Sequence, residues 1–144
     1  MNDVAVAQAL AARVLAVSGP AGYASVRNSY AFPPDAISAT PSAIVISGTD
    51  QVEVGGQTRR TQVNFTVRIY VEPISDLARR MQLVGAYRTW VRNLYNGSVT
   101  LGGLVDQAAV VSTDVGAEEY AGIQYLTIEA KVECVKLEAV AYTA

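Results

Sequence analysis

The sequence predicts an α+β domain, a mainly antiparallel sheet with two helices packed on one face, in the order α-β-β-β-α-β-β. Three observations lead there. In two segments apolar residues recur at spacings of three and four, the period of a helix with one buried stripe. In two others, Thr58 to Glu72 and Ile123 to Leu137, they alternate at every second position, the period of a strand with one buried face. The connections between strand segments are short and Gly-rich, which suits hairpins better than parallel crossovers.

The first helix is expected from Asp3 to Val17, with Val6, Leu10, Val14 and Val17 on one stripe, Asp3 as N-cap and Gly19-Pro20 as the stop. Ser18 to Pro41 holds Pro20, Pro33, Pro34 and Pro41, and the Pro-Pro pair forces extended backbone around Phe32. This segment reads as an extended arm. Tyr23 to Val26 is expected as a short edge strand, with Tyr23, Tyr30 and Phe32 pinning the arm down. Ala43 to Ser47 follows as a core strand.

Gln51 to Val54 and Thr58 to Glu72 flank Gly55-Gly56, and paired glycines supply the positive φ angles of a tight hairpin. In the second arm Val63, Phe65, Val67, Ile69 and Val71 face the core, while Gln62, Asn64, Thr66, Arg68 and Tyr70 face the other way. A second helix is expected from a Ser75 cap to about Tyr95, with Leu77, Met81, Val84, Val91 and Leu94 as its apolar stripe and Asn96-Gly97 as its end. Arg79, Arg80, Arg88 and Arg92 fall off that stripe and solvate the outer face. Ala108 to Val115 reads as a strand, Gly116 to Gly122 as a connection, and Ile123 to Leu137 as the closing strand. The sheet face away from the helices is expected to be polar.

At 144 residues the chain is one domain, 1–144, long enough to bury roughly 68–70% of its unfolded surface. A hydrophobic fraction of 51% with only 17% charged residues argues against disorder. Net charge is −2 and the eleven basic residues are scattered, so the basic footprint of a dedicated nucleic-acid binder is missing. Cys134 stands alone in an alternating strand, as a buried small hydrophobe in a reducing compartment. The N-terminal stretch is acidic and interrupted by Gln8 and Arg13, and no apolar run reaches the roughly 18 residues of a membrane span, so neither export signal nor anchor is expected.

The residues for chemistry are sparse. There is no His, which removes His-based triads and the commonest metal ligand. A serine nucleophile would need a lysine base, and only Lys131 and Lys136 exist, both in the last strand. Glu118-Glu119 are neighbours in an expected loop, where paired catalytic carboxylates would not face each other. Gly55-Gly56 and Gly102-Gly103 lack the frame of a phosphate loop. The expectation is no enzyme, no metal and no cofactor. Tyrosine is in excess, eight against two Phe and one Trp, and tyrosine suits surfaces where one end is buried and the other meets a partner. Tyr70 and Tyr125 fall on the non-core side of their strands.

With these elements placed, the chain resembles the tail terminator, or tail completion, proteins of long-tailed bacteriophages. The resemblance lies in the N-terminal helix; the Pro-containing arm into Thr40-Pro41-Ser42-Ala43-Ile44-Val45-Ile46; the hairpin ending Val63-Asn64-Phe65-Thr66-Val67-Arg68-Ile69-Tyr70-Val71; the helix Asp76 to Asn93; and the closing strands ending Glu129-Ala130-Lys131-Val132-Glu133. It implies a homo-oligomeric ring, usually a hexamer, at the head-proximal end of the tail. Such a ring is assembled in the host bacterial cytoplasm, ends tube polymerisation and offers a surface to the head-tail connector protein. DNA would pass its lumen without specific binding, which an acidic balance suits because basic walls would hold phosphates.

Expected contact residues lie in the hairpin Gly55 to Arg60 (Gly55, Gly56, Arg59, Arg60), in the loop Asp114 to Tyr120 (Glu118, Glu119, Tyr120), in the arm Tyr23 to Phe32, and at Tyr70. Arg59-Arg60 of one copy would meet Glu118-Glu119 of the next. Two rivals stand beside this reading. One is a neck protein or tail tube subunit of the same assembly. The other is a small-ligand module whose pocket is lined by Tyr87, Trp90 and Tyr95.

Overall fold

A computed structural model describes residues 1–140 of the chain. Two helices and five strands follow in the order α1 (Asp3–Ala16), β1 (Asn28–Tyr30), β2 (Ser42–Gly55), β3 (Thr58–Pro73), α2 (Leu77–Arg92), β4 (Gln107–Tyr120) and β5 (Ile123–Ala139). The strands form one sheet in the order β1-β2-β3-β5-β4. Three pairings are antiparallel, but β1 runs parallel to β2, so the sheet is mixed. The fold class is the expected one.

The sequence rules place the elements well and their ends less well. α1 is capped by Asn2, whose side chain accepts from the Ala5 amide at 3.1 Å, so Asp3 is the first helical residue and not the cap. α2 is capped by Asp76, which accepts from the Arg79 amide at 2.9 Å, and Ser75 has no such role. The edge strand is Asn28–Tyr30, and the expected strand at Tyr23 to Val26 is irregular. Ala43 to Ser47 and Gln51 to Val54 are one strand, broken by a bulge between Ser47 and Asp50. Gly48 sits in that bulge, where a Cβ would lie 2.6 Å from the Asn64 carbonyl oxygen.

Gly116 to Tyr120 is strand, not connection, because β4 stays paired to β5 until Tyr120 meets Ile123. The turn is only Ala121-Gly122, with φ of 51° and 84°, as a type I′ hairpin requires. In the other hairpin Gly55 belongs to the strand, and Gly56 alone carries the positive φ, at 60°.

Both helices cover the same face. Val6, Leu10 and Val14 from α1 and Leu83, Tyr87 and Val91 from α2 meet Val63, Phe65, Val67, Ile69, Ile128, Ala130 and Val132 in one core. α1 lies over the β1-β2-β3 side and α2 over β4 and β5. Arg13 Nε donates to the Leu94 carbonyl at 3.1 Å and Tyr95 OH to the Leu10 carbonyl at 3.0 Å, joining the helices.

The opposite face is not uniformly polar. Ile44, Tyr70 and Tyr125 form a second buried cluster, with Tyr30, Ile37, Ile46 and Tyr120 packed on it. The arm folds across it: Tyr120 OH donates to the Pro34 carbonyl, and the Tyr70 ring meets the edges of Tyr120 and Tyr125 at 5.5 and 5.7 Å. Tyr70 and Tyr125 are therefore on the expected face but only 2% and 4% exposed, and neither is free for a partner. Phe32 does not pin the arm, being 58% exposed.

Candidate functional site

The β2–β3 hairpin and the β4–β5 hairpin mark opposite ends of the sheet. Thr58 pairs with Ala139 at one end of β3, and Pro73 pairs with Tyr125 at the other. At about 3.3 Å per residue the ends are about 50 Å apart. The residues expected to meet, Arg59-Arg60 and Glu118-Glu119, cannot do so within one chain.

Near the first end, Arg59 Nη2 lies 3.2 Å from Glu138, which also receives the Met1 ammonium at 2.7 Å. That hydrogen bond from the ammonium, with Arg59 adding to it, holds the Glu138 carboxyl below the usual glutamate range. Arg60 donates to Gln62 at 3.2 Å on the other face. Every residue of β2 from Ser47 to Gly55 is exposed, Val52 and Val54 by 53% and 61%. β1 covers only Ser42 to Ile44 of β2, so beyond Ile44 the outer edge of β2 has no strand on it among the described residues.

Near the second end, Glu118 is opposite Tyr125 and Glu119 opposite Gln124. As neighbours on a strand they point to opposite faces, Glu118 with the second cluster and Glu119 with the helices. Beside Glu119 runs an apolar groove of about 420 Å³ between α2 and β4, lined by Ile74, Leu77, Met81, Val84, Ala117 and Leu126 among others. Leu77 and Met81 were expected in the core but are 63% and 67% exposed.

Geometry explains this. The buried stripe of α2 is Leu83, Tyr87, Val91 and then Leu94 just past its end. At about 100° per residue Leu77 and Met81 lie roughly 80° and 120° around from Tyr87. A run of two apolar stripes on one helix was the available signal: the one nearer the helix centre is the core, and the other is left outside.

The polar part of the second face carries charges in register: Arg68, Glu129 and Asp114 lie across β3, β5 and β4. Arg68 Nε is 2.5 Å from Glu129 Oε1, and its Nη1 donates to Tyr70 OH at 3.2 Å. Burial acts to lower the Arg68 pKa, but the hydrogen bonds to Tyr70 and Glu129 and the carboxylate charge raise it overall. Thr127 Oγ1 is buried there without a hydrogen-bond partner among the described residues.

Tyr87, Trp90 and Tyr95 do not open onto a common pocket. Tyr87 OH donates to the Ala24 carbonyl at 2.5 Å, Trp90 Nε1 to Ser18 at 2.7 Å, and Tyr95 OH to Leu10 at 3.0 Å. They hold the start of the arm and α1 onto α2. Burial pushes the Cys134 thiol up to about 12 and that of the Tyr95 hydroxyl above its usual range. Among the described residues no group of three Cys, Asp or Glu side chains is gathered as a metal site, and no helix is long and apolar enough to cross a membrane.

No protein-family model matches the sequence, and no curated protein matches it.

Proposed function

We propose that the chain is a structural subunit that assembles with copies of itself into a closed ring, acting as the terminator of a phage tail. The observation that carries the assembly is apolar surface left open at both ends of one sheet: Val52 and Val54 at the first, Ile74, Leu77 and Met81 at the second. A surface with unlike patches at opposite ends suits a head-to-tail contact, and such contacts close into rings when the rotation per step divides a full turn. The place at the head-proximal end of a tail, against tube and connector proteins, rests on the resemblance in element order, Pro-containing arm and long closing strands. The sheet's polar face, with Asp114, Glu129 and Glu133 beside Arg68 and Lys131, has no excess of positive charge to hold passing DNA.

Electron microscopy of the concentrated protein tests the reading. Single rings of one size are expected. Long tubes would make it a tube subunit, and separate monomers at every concentration would overturn self-assembly.

A further inference from the structure

We infer that the subunit contact is the β2–β3 hairpin of one copy seated in the α2–β4 groove of the next, Val52 and Val54 meeting Leu77 and Met81. The inference rests on the self-assembly reading and adds the surfaces that carry it.

Four features match across the two ends. The first is apolar surface. Val52 and Val54 are opposite Thr61 and Arg59, on the helix-covered face of the sheet but past the end of its core. Among the described residues they are not part of either core cluster, and the groove is too far away for them to fill it themselves. Burying two valines against Leu77 and Met81 removes apolar area of both copies from water, which favours association.

The second is charge. Arg59 is on the face of Val54, and Glu119 is on the face of the groove, because odd positions of both strands point toward the helices there. The pairing of two arginines with two glutamates thus separates by parity: Arg59 goes with Glu119 beside the groove, while Arg60 and Glu118 are on the other face. Exposed pairs of this kind are screened by solvent, so they set register more than affinity.

The third is hydrogen bonding. Arg80 lines the groove and brings guanidinium N–H donors to it. The outer edge of β2 beyond Ile44 presents unpaired carbonyls that can accept from Arg80. The fourth is shape. The groove is open and elongated along α2, and the β2–β3 hairpin is a two-stranded element exposed over the nine residues Ser47 to Gly55 on its outer strand.

Cross-linking reads this contact directly. Val54→Cys and Met81→Cys replace exposed side chains, so the fold tolerates them, and the native Cys134 is buried with a raised thiol pKa and does not compete. With a short bis-maleimide, the V54C/M81C double variant is expected to give, on a denaturing gel, a ladder of covalent multimers ending at one size, while each single variant runs there as an uncross-linked chain. M81E is expected to abolish wild-type-like association in light scattering without lowering the melting temperature.

If light scattering shows an oligomer but the double variant gives no ladder, the contact is wrong and self-assembly stands. If there is neither oligomer nor ladder, both fall. Covalent dimers from either single variant would mean a two-fold contact and overturn the head-to-tail arrangement.

Discussion

Single residues in this chain act through backbone geometry and through face. Gly48 is needed because a Cβ would meet the Asn64 carbonyl oxygen at 2.6 Å, backbone that cannot rotate away. Gly48→Ala is expected to cost about 1–3 kcal/mol by strain in the bulge, read as a lower denaturation midpoint with unchanged slope. The alternation in the sequence told correctly which way Tyr70 and Tyr125 point. What it could not tell is that a Pro-rich arm, distant in sequence, returns to bury them. Tyr70→Ala, at 2% exposure, is expected to cost about 3–5 kcal/mol, as for a core aromatic, and not the fraction of a kcal/mol of a surface residue.

Glu138 supplies the residue-scale pH dependence. Its folded pKa is depressed by the Met1 ammonium and Arg59, so its stabilising contribution is present above the ordinary glutamate value. That contribution is lost as pH falls through the folded value. Glu138→Gln is expected to be less stable than wild type at neutral pH and equal to it in strong acid, as read by denaturant midpoints across that range. Equal loss at both pH values would mean packing, not charge, is the cause.

At the scale of elements, periodicity found both helices and the strands β3 and β5 because each buries one face over much of its length. It failed where a boundary depends on a partner. β4 runs through Gly116 because β5 offers a paired edge up to Ile123, although the residues Gly116 to Gly122 read locally as a loop. β2 reads as two strands since its outer half is exposed on both faces and has no pattern to follow. Caps fell one residue away from the expected ones, at Asn2 and Asp76, because neighbouring residues could serve equally by type.

The arm is the element whose order hangs on fewest contacts. Its middle is held by the Tyr120 hydroxyl on the Pro34 carbonyl and by Ile37 on the second cluster. Tyr120→Ala is therefore expected to raise amide exchange and protease cleavage around residues 31–39 while leaving the core strands β3 and β5 protected, because local opening tracks local contacts. If β3 lost protection to the same degree, the arm and sheet would be one cooperative unit.

For the whole molecule, the sequence conveyed class and element order, and the exclusion of His chemistry, but not which surfaces remain open. The charged pairs it placed in loops, Arg59-Arg60 and Glu118-Glu119, are on strands β3 and β4, at opposite ends of the sheet. Leu77 and Met81 are exposed against the sequence expectation, since a helix with two apolar stripes does not say which one the sheet will take. Their exposure gives the groove, and the exposed Val52 and Val54 give its counterpart on the next copy in the assembly we propose. The specificity of such a ring is geometric: the same contact repeated with one rotation, and no bond made or broken.

The most direct measurement is the mass of the purified protein in solution over a range of concentration, by light scattering coupled to chromatography. The account predicts one closed species at a fixed multiple of the 15.3 kDa chain, six copies for a hexamer, that does not grow further as concentration rises. A mass of one chain at the highest concentration reached would contradict it.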